Sequence, residues 1–289
     1  MDQVKIKITE DNNGLTIKEF LKKCNVGRPM VEKIRVNKLS SINNIQKDIE
    51  TVLKTGDVLS LSFDEKIDFA PDFTPIDVVY EDDYLLVVNK QPGIIIYNED
   101  KNQIGSLANM VAGYYENNNI CRNIRYIHRL DKETSGIVIF AKDFLTEAMM
   151  LKQLQEDKIL KEYLAFVENK IKKHGTIKAK IGKDRHVNGK MVISSTGKDA
   201  FTEYKLIKEY DNYSLVSFRI HTGRTHQIRV HSSSIGNPIL GDVLYGGNMI
   251  YISRVALHAS HVIFTHPFNC SIIDLKAKMP ADMEKLRND

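Results

Sequence analysis

Four strand-like segments follow one another between residues 162 and 220, and they constrain the fold of this chain more than any other feature. Each is rich in β-branched and aromatic residues, and only short connections separate them. In chain order they read EYLAFVE, GTIKAKI, AFTEYKLIKEY and YSLVSFRI. A parallel pair of strands needs a long crossover, whereas short connections favour antiparallel pairing. The segments therefore predict a mainly antiparallel sheet, and the few interspersed helices make the fold class α+β.

Further elements flank this strand-rich region. Alternating or apolar runs predict strands at residues 83–90, 137–142 and 257–266. Helical patterns occur at residues 103–115, 143–158 and 225–236, and Gly236 would end the last of these helices. We expect these strands to join the antiparallel strands in one mixed sheet, with residues 77–289 as a single domain.

The first 63 residues predict a separate small α/β module. Residues 15–23 and 28–35 are typical of short helices, the first anchored by Leu15, Phe20 and Leu21. Residues 52–63 alternate around Thr55-Gly56-Asp57 and predict a hairpin.

The segment that follows, residues 64–76, is acidic at its start and carries Pro71 and Pro75, which is typical of a linker. The predicted organisation is thus a module (1–63), a linker (64–76) and a large domain (77–289).

Composition narrows the protein class. No apolar run of about 20 residues is present, and the polar, alternating first residues do not resemble a signal peptide. The three cysteines are odd in number and lie far apart, so neither a disulfide framework nor a cysteine metal site is expected. These features predict a cytoplasmic protein without a membrane segment.

Local charge points to a polyanionic partner. The net charge is only +4, but residues 17–38 carry seven lysines or arginines against two acids. Residues 212–241 contain no acid, and they include Arg219, Arg224 and Arg229. Such stretches suit phosphate contacts, although a solvated basic face would give the same pattern.

The stretch HRLDKETSG, residues 128–136, is a candidate catalytic segment. If residues 126–131 are extended, Arg129 and Asp131 share one face, and the turn at Gly136 can direct the carboxylate into a cleft. A carboxylate that stays ionised in a dry pocket needs a cationic partner. Arg129 and the segment 222–231 offer one. The alternative is an ordinary surface pair of arginine and aspartate.

A metal site at His221, His226 and His231 is a further alternative. These histidines lie five residues apart, which fits neither one face of a helix nor one face of a strand. Ligand pairs on a helix favour a spacing of four. We therefore expect no metal, and we expect these histidines to face solvent or RNA.

Five blocks in order across residues 78–270 resemble the RluA-type pseudouridine synthases, the large-subunit rRNA class. HRLDKETSG is similar to the signature of that family. The other blocks are LLVVNKQPG, KEYLAFV, TGRTHQIRVHSSSIGNPILGDVLYG, and RVALHA with THP. The module resembles more weakly the small RNA-binding domain of these enzymes, through residues 28–37 and 54–57. The run SINNIQKDIE departs from the basic link usual there, and Tyr97 replaces a common histidine.

The resemblance implies an isomerase that detaches uracil from ribose, rotates it and rejoins it through carbon 5, without a metal or organic cofactor. Asp131 would be the nucleophile, at ribose carbon 1′ or uracil carbon 6. Tyr163 would contact the base, and Arg229 would pair with Asp131. Arg129 would help to flip the base, with His128 and Arg224 also contacting RNA.

The predicted partner is RNA, bound by a monomeric protein. Large-subunit rRNA is the expected substrate. The same chemistry on tRNA and a non-catalytic factor of ribosome assembly are the alternatives. Loss of Asp131, Tyr163 or Arg229 would favour the non-catalytic factor, and all three are present.

Overall fold

The computed structural model describes residues 2–288. Residues 2–63 contain a four-stranded sheet of their own, in the order β1-β4-β2-β3 with antiparallel neighbours. Two helices accompany it. The elements are β1 (Asp2–Lys7), α1 (Ile17–Lys23), α2 (Arg28–Val36), β2 (Ser40–Ile42), β3 (Ile45–Gln46) and β4 (Val58–Phe63).

The two predicted helices are present, and their ends follow from local sequence. Thr16 and Glu19 form a capping box at the start of α1, and Pro29 lies in the first turn of α2. The predicted anchors Phe20 and Leu21 are buried, but Ile17 is the third buried residue, whereas Leu15 stays partly exposed.

The hairpin predicted in residues 52–63 is wrong. Strand β4 pairs with β1 and β2, and before the turn only Val52 forms a single bridge, to Thr16. The alternating apolar residues of β4 do mark a strand, since Leu59 and Leu61 are fully buried in the core of the module. Alternation identifies a strand but not its partner, and one partner of β4 is the first strand of the chain.

A ten-stranded sheet is built from strands between residues 78 and 276. Its order is β10-β13-β14-β9-β15-β8-β6-β5, with β16 beside β15 and β7 beside β8. The strands are β5 (Val78–Glu81), β6 (Leu85–Lys90), β7 (Arg125–Tyr126), β8 (Ser135–Ala141), β9 (Leu160–Glu168), β10 (His174–Lys178), β13 (Phe201–Glu209), β14 (Tyr213–Ile220), β15 (Leu257–Thr265) and β16 (Ile272–Lys276). A two-stranded ribbon, β11 (Ile181–Lys183) with β12 (Met191–Ile193), stands apart from it.

The α+β prediction is confirmed. Across residues 2–288, β8 and β15 are the one pair of neighbouring strands in this sheet that runs parallel, and its other neighbouring strands run antiparallel. The predicted strand GTIKAKI is divided between β10 and β11. Within the described residues 2–288, four α-helices accompany the sheet: α3 (Leu107–Asn117), α4 (Phe144–Gln155), α5 (Gln227–Ser234) and α6 (Ala281–Asn288).

Both faces of the central strands are buried. Along β8, Val138 and Phe140 contribute to a core shared with α3, α5 and α6. The alternate residues Ile137 and Ile139 contribute to a core on the opposite side, with Met150 of α4. Because both faces are covered, β6 and β8 are apolar along most of their length rather than alternating.

Residues 64–76 have no helix or strand, and they are held against the large sheet's core. Phe69 is buried there, and Glu65 forms an ion pair with Arg125. A Cβ on Gly113 of α3 would lie 2.3 Å from the carbonyl oxygen of Asp72, so α3 accepts only glycine where this segment crosses it.

The module of residues 2–63 shares a hydrophobic core with α4. Phe144, Leu145 and Ala148 are buried in the same cluster as Leu21, Ile34 and Leu61. The rings of Phe63 and Phe144 meet edge to face, with centroids 5.8 Å apart. The ammonium of Lys152 also donates a hydrogen bond to the carbonyl of Lys23.

Candidate active site

An open cleft of about 850 Å³ lies between the loop that precedes β8, strand β9 and the start of α5. All six site residues predicted from the sequence line this cleft. They are His128, Arg129, Asp131, Tyr163, Arg224 and Arg229. The chain segments that carry them are up to 101 residues apart in sequence, and the central strands of the sheet bring them together.

Asp131 lies in a loop, because β7 ends at Tyr126. The strand considered for residues 126–131 thus ends at Tyr126, yet Arg129 and Asp131 both reach the cleft. The backbone carbonyl of Asp131 accepts a hydrogen bond from the Thr134 N–H, which closes a turn before β8. Gly136 then has φ +114°, and a Cβ there would lie 2.2 Å from the carbonyl oxygen of Ala259. Glycine thus lets β8 approach β15 closely beside the Asp131 loop.

Arg229 contacts two carboxylates. Its Nη1 lies 3.1 Å from Oδ2 of Asp131, while its Nε and Nη2 bind Asp242 at 2.7 and 2.8 Å. Burial lowers the pKa of Arg229, but the hydrogen bonds and charges of Asp242 and Asp131 outweigh burial and raise it. Asp131 is thus a partner of Arg229, as the sequence predicted. The residue that binds the guanidinium through two hydrogen bonds is Asp242, which the sequence analysis did not identify. Asp242 is the residue that directly follows the acid-free segment.

Tyr163 is the buried aromatic residue of the cleft. It lies on β9 and is 7% exposed. Burial, and then the charge of Asp131, raise the pKa of the Tyr163 phenol. The phenol therefore keeps its proton at neutral pH and can act as a hydrogen-bond donor.

His226 is not among the site residues predicted from the sequence, yet it lies beside Asp131. Its Nε2 is 3.7 Å from Oδ2 of Asp131, and its Nδ1 is 2.9 Å from the hydroxyl of Tyr245. The residue precedes α5 in a left-handed conformation, φ +55°. Burial lowers the pKa of His226, so the ring is neutral near pH 7. The Tyr245 ring also lies 5.0 Å from the guanidinium of Arg229.

The three residues expected to contact RNA differ in their environments. Arg129 is exposed at the edge of the cleft. Arg224 is partly exposed, and its Nε donates a hydrogen bond to the carbonyl of Asp199 at 2.9 Å. Burial lowers the pKa of His128 to about 3, and its Nε2 accepts a hydrogen bond from the Ile139 N–H. His128 is therefore neutral and can offer a ligand in the cleft a hydrogen bond rather than a charge.

A family model described as RNA pseudouridylate synthase matches residues 84–234, which include the cleft up to α5. The chain belongs to the RNA pseudouridine synthase family. A second model, the RluD ribosomal pseudouridine synthase N-terminal domain, matches residues 4–59 of this synthase. Together the two models confirm the resemblance to the RluA type, and the synthase is an enzyme of the isomerase class.

Relatives of this synthase match it along most of its length. The Bacillus subtilis protein described as Uncharacterized RNA pseudouridine synthase YhcT is 35% identical over 98% of this chain and 96% of its own. Ribosomal large subunit pseudouridine synthase D of Buchnera aphidicola subsp. Schizaphis graminum is 34% identical over 78% and 76%. The solved structure of Human RNA Pseudouridylate Synthase Domain Containing 1 aligns with a TM-score of 0.59 at 26% identity, covering 72% and 84%.

The histidines considered as metal ligands have different partners in the synthase. His221 contacts Asp157 and Glu203, whereas His231 is fully buried between the Thr202 hydroxyl and the Ala179 carbonyl. The expectation that all three histidines face solvent or RNA is thus wrong for His231. Within residues 2–288 no group of three or more histidine, cysteine or acidic residues is arranged to hold a metal. In the same range no helix is long and apolar enough to cross a membrane.

Proposed function

We propose that this synthase converts uridine to pseudouridine in large-subunit rRNA, with Asp131 as the nucleophile. The observation that carries the proposal is the contact between Asp131 and Arg229 in a cleft that also holds Tyr163. The rRNA substrate is inferred from relatives named ribosomal large subunit pseudouridine synthase D. It is also supported by the exposed cations of α2 and of the cleft.

The proposed reaction leaves no net change in atoms or redox state. The Asp131 carboxylate attacks either ribose carbon 1′ or uracil carbon 6, and the bond between carbon 1′ and nitrogen 1 breaks. The uracil rotates, a bond forms between carbon 1′ and carbon 5, and carbon 5 loses its proton to nitrogen 1 by way of solvent or a protein base. The carboxylate is released unchanged, so the reaction requires neither a metal nor an organic cofactor.

Arg229 and Tyr163 have distinct proposed roles. The guanidinium of Arg229, fixed by Asp242, orients Asp131 and stabilises its anionic form. Tyr163, on β9, packs on the base and supplies a hydroxyl that retains its proton. Both roles follow from the position of these side chains on rigid elements, which hold them in one geometry.

Arg129, Arg224 and His128 are proposed to handle the RNA around the target. A base inside a duplex must leave the stack before its atoms can be reached, at a cost of a few kcal/mol. Arg129 is exposed beside Asp131 and can occupy the space that the flipped base leaves. Arg224 offers a charge, and His128 a hydrogen bond, to the flanking nucleotides.

The proposed domain organisation is a module at residues 1–63, a connecting segment at 64–76 and a catalytic domain at 77–289. The separate four-stranded sheet supports the first boundary. A monomer in the cytoplasm remains our proposal for the state and location of the protein, and the unpaired cysteines suit a reducing compartment.

The test is the variant Asp131→Asn, which keeps size and hydrogen bonding but removes the anion. We expect pseudouridine to form on in vitro transcribed large-subunit rRNA with the wild-type enzyme and not with the variant, at equal melting temperature. Mapping pseudouridines in RNA from cells with and without the protein identifies the substrate. Variant activity near wild type contradicts the assignment of Asp131, and changes confined to tRNA contradict the proposed rRNA substrate.

A further inference from the structure

The cleft continues past Tyr163 to a second polar region around Lys161. Lys161 and Tyr163 lie two residues apart on β9, so their side chains share one face of the strand, and both line the cleft. His128, Gln155 and His221 also line the cleft. Lys161 is only 8% exposed, which is unusual for lysine unless a partner is bound.

Lys161 has no carboxylate partner in the described part of the chain. Among residues 2–288, no hydrogen bond or ion pair within 4.0 Å engages its ammonium. Burial lowers the pKa of Lys161, and the carboxylate that opposes this effect, Asp157, already contacts Nδ1 of His221 at 3.1 Å. Three ammonium donors thus lie at the wall of the cleft with no acceptor from residues 2–288.

Lys90 shows what a buried structural lysine looks like in the same protein. Its Nζ donates to the carbonyls of Gln91, Ile94 and Lys132 at 3.0, 2.8 and 3.0 Å, so all its donors are used. It thereby ties β6 to the loop after Asp131. Lys161 is also buried but lacks these bonds, so its charge is not explained by fastening the fold.

We propose that Lys161 binds a non-bridging phosphate oxygen of the RNA strand next to the flipped uridine. An ammonium is a compact charge with rotatable donors, which suits a phosphate oxygen. The phosphate oxygens would accept the hydrogen bonds of the Lys161 ammonium, for which residues 2–288 provide no acceptor. This inference rests on the proposed function, because it assumes that a uridine enters the cleft beside Asp131 and Tyr163.

The first test compares stability with RNA affinity. Lys161→Met removes a charge that is costly to bury and keeps the apolar stem, so the melting temperature should not fall, while affinity for RNA should fall. Lys90→Met should instead lower the melting temperature, because three carbonyls lose their donor. Lys158→Met is the matched surface control: that lysine is exposed and paired with Glu156, so neither quantity should change. A clear loss of stability in Lys161→Met would mean that the residue is structural.

The second test asks whether the partner is a phosphate. The probe is a five-nucleotide oligouridylate, with either native phosphates or neutral methylphosphonates on both sides of the central uridine. For the wild type, the neutral linkages should weaken binding about tenfold or more, the effect of losing a hydrogen bond to a charged group. For Lys161→Met the difference between the two probes should be much smaller than for the wild type, because only Arg224 and Arg129 still respond to the phosphate charge. Lys161→Arg should restore part of the difference.

Each result decides the inference. Equal losses from neutral linkages in wild type and Lys161→Met, or no binding of the native probe by the wild type, would overturn it. Failure of the proposed function is recognised separately, as the absence of pseudouridine from every RNA treated with the wild-type enzyme. A protein that binds the probe through Lys161 but makes no pseudouridine would retain the phosphate site and lose the proposed reaction.

Discussion

Arg229 and Asp242 form a two-point salt bridge at the wall of the active cleft, with Nε 2.7 Å from Oδ2 and Nη2 2.8 Å from Oδ1. Asp242 is almost fully buried. The remaining guanidinium nitrogen, Nη1, is left to contact Asp131. Asp242 therefore fixes the plane of the guanidinium. That plane in turn determines where Nη1 meets the Asp131 carboxylate. The position of the proposed nucleophile depends on a carboxylate 111 residues away in sequence.

Replacement of Arg229 by methionine should damage the fold as well as the site. It removes the partner of Asp242, and breaking a buried ion pair costs about 3–5 kcal/mol because one charge stays buried alone. The double variant Arg229→Met/Asp242→Leu should recover most of that stability and remain inactive. Urea unfolding and pseudouridine assays on the three proteins check this. Recovery of activity in the double variant would show that Arg229 matters only for folding.

The sequence predicts most of the elements near the cleft, because their patterns are local. Strand β8 and helix α4 are recognisable from an apolar run and a helical period, and Gly236 indeed lies just beyond the end of α5. The pairing of β4 with β1 is not local, since 50 or more residues separate the partners, and the predicted hairpin is wrong for that reason.

The residues around Asp131 illustrate the same limit. Motif similarity selects Asp131, Tyr163 and Arg229 one by one, and charge complementarity suggests that Asp131 and Arg229 meet. It does not reveal that Asp242 also binds the guanidinium, because a single acid at the end of a basic segment carries no pattern. His226 reaches Asp131 only through a left-handed backbone at the start of α5, which no periodicity indicates.

His258 should make the protein less stable in mild acid. It is fully buried, its Nδ1 lies 3.0 Å from the Ser135 hydroxyl, and burial lowers its pKa to about 4. As pH falls below about 6.5, the ordinary pKa of histidine, His258 becomes protonated in the unfolded chain but stays neutral in the folded protein. Stability is therefore lost between about pH 6.5 and 4, by about 3 kcal/mol from this residue.

The check on His258 is the free energy of unfolding of wild type and His258→Asn at pH 7 and pH 4.5. The variant should be less stable at pH 7, since the neutral ring is packed there, but its loss between the two pH values should be smaller. His128, whose pKa is about 3, gives the wild type and the variant the same additional loss. An identical loss in both proteins would contradict the role of His258.

Phe144 should link the stability of the module to that of the catalytic domain. Its ring is buried against Phe63 across the two parts. Phe144→Ala should cost about 3–5 kcal/mol, while Phe73→Ala, at an exposed phenylalanine, should change little. Urea unfolding measures both. A catalytic domain that keeps full stability after deletion of residues 1–63 would show that the shared core contributes nothing.

RNA binding by the module should be tested by charge rather than by deletion, because deletion uncovers Phe144 and Leu145. Arg28 and Lys33 are exposed on α2. In Arg28→Gln/Lys33→Gln, the slope of log affinity against log salt should fall by about 0.7–0.9 for each RNA phosphate that the variant no longer neutralises. Lys276→Gln, on β16, serves as the control. An unchanged slope in the α2 variant would place the RNA-binding surface of the protein outside α2.

Replacing Arg129 and replacing Asp131 should reduce the reaction rate in different ways on structured and unstructured RNA. Arg129→Met leaves the nucleophile in place but removes the exposed side chain that would fill the gap left by the flipped base. Its rate should fall most on a structured RNA, where unstacking costs a few kcal/mol, and least on an RNA whose target uridine is already unpaired. Asp131→Asn should be inactive on both RNAs, because it lacks the attacking anion. Single-turnover rates on a matched structured and unstructured pair measure the difference. If Arg129→Met loses equal activity on both RNAs, Arg129 acts in the chemical step or in general affinity, and the extrusion of the base must depend on another part of the protein.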